Sequence, residues 1–362
     1  MSLIFSFHKS SNRSLALWLL STCFLIWMMI MLGGITRLTH AGLSIVEWKP
    51  ITGIIPPLSH TQWVEVFESY KQFPEYKLVN QGMELADFQF IYLMEYFHRL
   101  FGRIIGLWFM IPLALFWFQK QLSSKLKKSF LLALFLGLSQ GVLGWYMVKS
   151  GLVKDPTVSH YRLTAHLLLA IALYSLLLWT ALGMVQPPLK NVERPIPPLI
   201  SNLSLASCLA ITLTILYGGL VAGLKAGLIY NTFPFMGEQF LPDEWSFYTP
   251  MWLNFFENAV LVQWIHRWLA VSTAALVLAT SWVIWNQSSQ KQMRTTAIIY
   301  ACIALIQVTF GILTLIFHVP VILGTLHQGT AVVLLSVGLY LHHTYRTQKN
   351  FKTYSKNFGL GT

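Results

Sequence analysis

The chain has 362 residues, 55% of them hydrophobic and only 10% charged, which excludes an ordinary soluble enzyme and points to a protein that crosses a membrane many times. The net charge of +12 would suit a nucleic-acid partner, but the charges sort by membrane side, so no nucleic acid is expected. Cys23, Cys208 and Cys302 all lie in apolar runs without paired spacing, which argues against a disulfide or a thiolate metal site.

Eight apolar segments are long enough to span a bilayer: 15–36, 88–118, 129–148, 163–185, 199–221, 258–285, 296–317 and 321–343. The first is expected to be a retained helix, since it runs into Gly33-Gly34-Ile35-Thr36-Arg37 instead of a small-residue cleavage site. Segments 1–14, 119–128, 186–198, 286–295 and 344–362 share one side and hold fourteen Lys or Arg against a single acid, Glu193. The positive-inside rule then places both termini in the cytoplasm. On the other side, 37–87 and 222–257 are long and rich in aromatics and proline, whereas the remaining two connections are short.

That long-short rhythm repeats, and so do the residues. Gly33-Gly34 and Ala41-Gly42-Leu43 recur as Gly218-Gly219 and Ala226-Gly227-Leu228; Gln140 and Gly144 recur as Gln307 and Gly311. His98-Arg99 recurs as His266-Arg267, and His166 as His327. The expected fold class is therefore an all-α polytopic membrane protein, with eight transmembrane helices in two pseudo-symmetric four-helix bundles. The bundles would span 1–190 and 191–362, joined by the proline-rich linker Gln186–Pro198.

Within the second span, Glu95, His98, Arg99, Gly102 and Gly106 fall within about a third of the helix circumference. Ionisable groups in a membrane helix are costly and point to function. His98, His166, His266 and His327 all sit within one to three turns of the outer helix ends. Two such histidines on facing helices can ligate a heme iron from both sides. Zinc would call for more cysteine, carboxylate or clustered loop histidine. Gly102, Gly106, Gly141, Gly144, Gly311 and Gly329 would thin the walls of a heme cleft. Arg37, Arg99, Arg162 and Arg267 are candidate propionate contacts, because Arg pairs carboxylates bidentately. His160 and His318 border the outer face as candidate supporting residues, while His8, His40, His60, His342 and His343 read as structural. The halves differ at one position: Glu95 precedes His98 by three residues, where the second half has Gln263. Glu95 is thus the candidate catalytic acid, with a plain ion pair to Arg99 as the competing reading.

These motifs carry a resemblance. Gly33-Gly34-Ile35-Thr36-Arg37-Leu38-Thr39, Trp48-Lys49-Pro50, Gln72-Phe73-Pro74-Glu75-Tyr76, Met94-Glu95-Tyr96 with His98-Arg99, Met147-Val148-Lys149-Ser150-Gly151-Leu152, Tyr230-Asn231-Thr232-Phe233-Pro234 and His327-Gln328 resemble those of heme A synthase, in its proteobacterial and mitochondrial form. The resemblance implies that His266 and His327 axially ligate a resident heme b, while His98 and His166 bind the substrate, heme O. It implies oxidation of the porphyrin C8 methyl group to a formyl group, with Glu95 in the chemistry, for assembly of heme–copper terminal oxidases. Implied partners are heme O synthase (protoheme farnesyltransferase), oxidase assembly factors, an unidentified electron carrier and membrane lipid; a homo-oligomer is left open. Residues 37–87 contain no cysteine, unlike Gram-positive relatives, so a route through an outer-loop thiol pair cannot apply. No amphipathic presequence precedes the first span, so the bacterial inner membrane is expected. The rival readings are a diheme b-type cytochrome that only carries electrons, which leaves Glu95 unexplained, and a transporter, which predicts sites nearer the midplane.

Overall fold

The computed structural model describes residues 2–48, 53–153, 156–185 and 197–357, with side chains from 13 to 347. Lys49 and Pro50, most of the expected linker, His8, and the side chains of Lys349, Lys352 and Lys356 lie outside the described residues. The helices are α1 (Ser2–Leu38), α2 (His60–Lys71), α3 (Pro74–Leu78), α4 (Leu85–Phe118), α5 (Ser124–Gly151), α6 (His160–Val185), α7 (Pro198–Gly223), α8 (Asn254–Glu257), α9 (Ala259–Gln287), α10 (Lys291–Ile316) and α11 (Val321–Asn357). Eight of them are long and apolar enough to cross a membrane: α1, α4, α5, α6, α7, α9, α10 and α11. The protein is an all-α, multi-pass membrane protein.

Local chemistry explains where the helices begin and end. Ser123 accepts from the backbone N–H of Leu126 at the start of α5, and Asn258 accepts from Val260 and Leu261 at the start of α9. Pro198 opens α7, where a missing N–H does no harm. Between α10 and α11 the chain reverses through His318 and Val319, both in the left-handed region at φ 60° and 59°. That conformation is costly for a β-branched residue, and the Val319 N–H is held on the Thr314 carbonyl at 2.8 Å.

Lipid supplies no hydrophobic drive between spanning helices, so close packing must. α1 packs on α4 and α6, and α5 on α6; α7 packs on α9 and α11, and α10 on both α9 and α11. The two groups meet where α1 lies on α11 and α6 lies on α7 and α11. Towards the end bearing the α4–α5 connection, Trp18 stacks on Phe109 at 5.1 Å and meets Phe130 edge-on. At the opposite end, α2 and α3 form a cap. Phe67, Tyr70, Phe88 and Ile91 bury together, with Phe67 stacked on Phe88 at 4.9 Å. α4 starts three residues earlier than the apolar pattern suggests, because Leu85 and Phe88 pack into this cap. His98 therefore lies more than three turns inside α4, deeper than expected.

Candidate functional site

Each of the four histidines sits in a notch made by a glycine on a neighbouring helix. A Cβ added at Gly33 would lie 3.2 Å from Cε1 of His98, and one at Gly144 would lie 3.3 Å from Cε1 of His166. The corresponding distances are 3.2 Å for Gly218 to His266 and 2.8 Å for Gly311 to His327. No larger residue fits these notches without shifting the ring. The doublets thus acquire a division of labour: Gly33 and Gly218 seat histidines, while Gly34 and Gly219 give close approach to Gln328 and Thr164 across the contact between the two groups.

The rings of His266 and His327 lie edge-on to one another, with centroids 6.4 Å apart and planes at 89°. Two metal–imidazole bonds of about 2 Å, plus the two ring radii, add up to that separation, so the spacing has room for one metal ion that both rings would hold. Nδ1 of His327 is held 3.2 Å from the Gln307 carbonyl, which leaves Nε2 for a metal. Nδ1 of His98, of His166 and of His266 is sealed from solvent with no hydrogen-bond partner among the described residues. Among the described residues no three His, Cys, Asp or Glu side chains gather as a multi-residue metal site requires.

Beside each His-Arg pair, the arginine ties down an outer loop. Arg99 donates to the Ile45 carbonyl at 3.0 Å and the Glu47 carbonyl at 3.3 Å. Arg267 donates to the Tyr230 carbonyl at 2.7 Å and the Thr232 carbonyl at 2.6 Å. Counted from the Ala-Gly-Leu motifs, Ile45 matches Tyr230 and Glu47 matches Thr232. Glu95 and Gln263 take part in the same ties. Gln263 donates to the Tyr230 carbonyl at 3.0 Å. Glu95 accepts from Arg99 at 2.6 Å, from the Ser44 hydroxyl at 2.7 Å and from the Ile45 N–H at 2.9 Å. Its carboxylate is buried and held by donors on both oxygens.

A family model described as cytochrome oxidase assembly protein matches residues 16–339. The heme A synthase of Rhodospirillum centenum is 42% identical over 337 residues, covering 93% of this chain and 90% of that protein. The heme A synthase of Nitrosospira multiformis is 43% identical over 342 residues (93% and 95%), and that of Rickettsia bellii 42% over 336 (91% and 98%). The chain belongs to the heme A synthase family. In this member of the heme A synthase family, the remaining sequence candidates fall into distinct places. Arg37 is half-buried at the end of α1, and its guanidinium has no hydrogen-bond partner among the described residues. Arg162 donates to the Tyr146 carbonyl at 2.7 Å and stacks on that ring at 3.6 Å. His160 lies 3.5 Å from Glu257, whose other oxygen accepts from Tyr161. His342 and His343 are buried against Trp179. Gly329 does not line a histidine cleft, contrary to expectation: it admits Met31 of α1, whose Sδ would be 2.9 Å from an added Cβ.

The two halves of this heme A synthase relative differ most between their second and third spans. α9 and α10 pack closely, whereas α4 and α5 barely meet. Three features were missed in the sequence. Ser44 and the Ile45 N–H bind Glu95 from a loop whose approach no local pattern encodes. Glu75 is buried in the cap, accepts from the Tyr70 hydroxyl at 3.1 Å, and Tyr70 accepts from Asn80 at 2.8 Å. Burial pushes the Glu75 carboxyl up to about 7; the Tyr70 hydrogen bond opposes this and the Glu95 charge adds to it. The only local hint was a glutamate just after Phe73-Pro74, a helix start that points the next residue inward.

Proposed function

We propose that this chain converts heme O to heme A in the bacterial inner membrane, oxidising the porphyrin C8 methyl group to a formyl group for heme–copper oxidase assembly. The observation that carries the reading is the pair His266 and His327, 6.4 Å between centroids, in a chain matched along nearly all its length by heme A synthases. In this reading residues 1–190 and 191–362 form two pseudo-symmetric four-helix units, with both termini cytoplasmic. His266 and His327 hold heme b, which supplies one-electron redox chemistry when bound. His98 and His166 take heme O as substrate. The loose packing of α4 on α5 supports this split, because a site that exchanges its occupant needs an opening and a resident site does not.

Glu95 acts as a fixed negative charge beside the substrate ring. With donors on both oxygens, it is better arranged to stabilise positive charge developing at the methyl carbon than to take up a proton or form a bond. Arg37 is the cation best placed for a propionate, since it alone of Arg37, Arg99 and Arg162 has no hydrogen bond among the described residues; Arg99 and Arg162 contribute through the backbone they hold. With water supplying the formyl oxygen, oxidation of the methyl group releases electrons and protons, so an electron-accepting partner is required, and the cysteine-free first outer loop means that carrier does not work through thiols there. Heme O synthase delivers the substrate and oxidase assembly factors receive the product.

Replacing His266 or His327 by Met tests the assignment. The spectrum of the resident heme b should change while heme O still binds. An unchanged spectrum in both variants contradicts it.

A further inference from the structure

We infer that the gap between α4 and α5 is a membrane-facing slot that receives the isoprenoid tail of the substrate porphyrin. The inference rests on the assignment of heme O to the His98–His166 site. Heme O carries a long, apolar, farnesyl-derived chain that heme b lacks. A porphyrin gripped between α4 and α6 must send such a chain out between two helices. α1 is packed against α4 and α6, and α5 against α6; the other side of α1 and α6 is covered by α7 and α11. Among the described residues, only the α4–α5 boundary of this half is left open.

The lining of that boundary matches an apolar chain. Cβ atoms added at Gly106 of α4, or at Gly137 and Gly141 of α5, would meet nothing within 4 Å, and one at Gly102 would meet only Met29 Cε at 3.4 Å. The other half serves as an internal control. Counting from His98 to His266 and from Gly144 to Gly311, these four glycines correspond to Ala270, Ala274, Ala304 and Val308. There the helices close, and Ala304 is 1% exposed. Space was therefore removed where a tail-less heme is held and kept where a tailed one is bound. The ligand at the head of the gap is the porphyrin assigned to His98 and His166, each of which keeps an Nδ1 sealed from solvent with no partner, as His266 does in the other half. His98, Gly102 and Gly106 follow one another along the same face of α4.

The test writes the second half's residues into the first. Full-length Gly137→Ala/Gly141→Val protein in lipid nanodiscs is compared with the parent for resident heme b content, heme O binding and heme A formation. A closed slot predicts unchanged heme b content and spectrum, with half-saturation for heme O raised about tenfold or more, as expected when a fitted apolar pocket is overfilled. Competition by protoheme, which has no tail, should be equal in parent and variant. Unchanged heme O half-saturation with intact heme b overturns the slot, and so does an equal loss of heme O and protoheme binding. If slot space is filled by membrane lipid alone, heme O half-saturation is likewise unchanged. A parent that binds heme O but makes no heme A refutes the functional reading instead, and the binding comparison still decides the slot. Should the double variant fold poorly, Gly106→Ala alone carries the same prediction from the α4 side.

Discussion

Glu95 shows how one residue can be both a structural tie and a catalytic candidate. Its partner in the repeat, Gln263, already ties a loop carbonyl with its amide, so the loop-holding job does not need the charge. Glu95→Gln should therefore keep the Ser44 and Ile45 hydrogen bonds on its amide oxygen while losing the Arg99 bond, keep heme b, and stall the product at heme O or the hydroxymethyl stage. Normal heme A yield from Glu95→Gln, measured by chromatography of extracted hemes, would remove the charge from the mechanism. Arg99→Met is the contrasting change. It leaves a buried carboxylate without its cation, a loss of about 3–5 kcal/mol, and frees the Ile45 and Glu47 carbonyls; both thermal stability and heme content should fall. At the histidines, Gly311→Ala puts a methyl group 2.8 Å from the resting position of His327 Cε1. The ring must rotate, so the electron paramagnetic resonance signal of heme b should shift or the heme be lost. Gly218→Ala, at 3.2 Å, should do less. Identical signals in both variants and the parent would show that the glycines do not set the ring planes.

Among the elements, the outer cap formed by α2 and α3 has its own pH response. The Glu75 carboxyl is raised from 4.5 to about 7 by burial. The folded cap thus holds a proton that the unfolded segment releases sooner. Its stabilising contribution is complete below about pH 4.5 and is lost as pH rises through about 7. Amide exchange in α2 and α3, corrected for intrinsic rates, should speed up from about pH 5 to about pH 8, and Glu75→Gln should abolish the change. Equal pH dependence in parent and variant would place the response elsewhere. The eight spans were legible because each is a long apolar run, and their membrane-crossing limits moved by only a few residues, although helix α1 begins at Ser2 and α11 runs on to Asn357, beyond the apolar runs. α2 and α3 were not legible. α2 is short and polar, and its start depends on a capping box between Ser59 and Gln62; α3 depends on Pro74 meeting a buried aromatic cluster assembled from distant residues.

At the scale of the whole molecule, the repeat made the site visible and the departures from it made the function arguable. Histidine positions and glycine doublets could be matched by eye, and the structure seats all four histidines against glycines by the same contact. What one dimension could not reveal is the relation between helices. The packed α9–α10 boundary and the open α4–α5 boundary differ by four small side-chain changes scattered over two spans, each unremarkable alone. The loop ties of Arg99 and Arg267 were likewise hidden, since their acceptors are backbone carbonyls that any sequence would supply. Together these features are what the proposed function needs: one scaffold used twice, once closed around a permanent redox group and once opened for a substrate.

The most direct test of that account is the heme content of the purified chain after co-expression with a source of heme O. Extraction and chromatography should yield heme b together with heme A, and His98→Met or His166→Met should abolish heme A while leaving heme b in place. Heme b with unconverted heme O in the parent, or heme A formation that survives both substitutions, would contradict it.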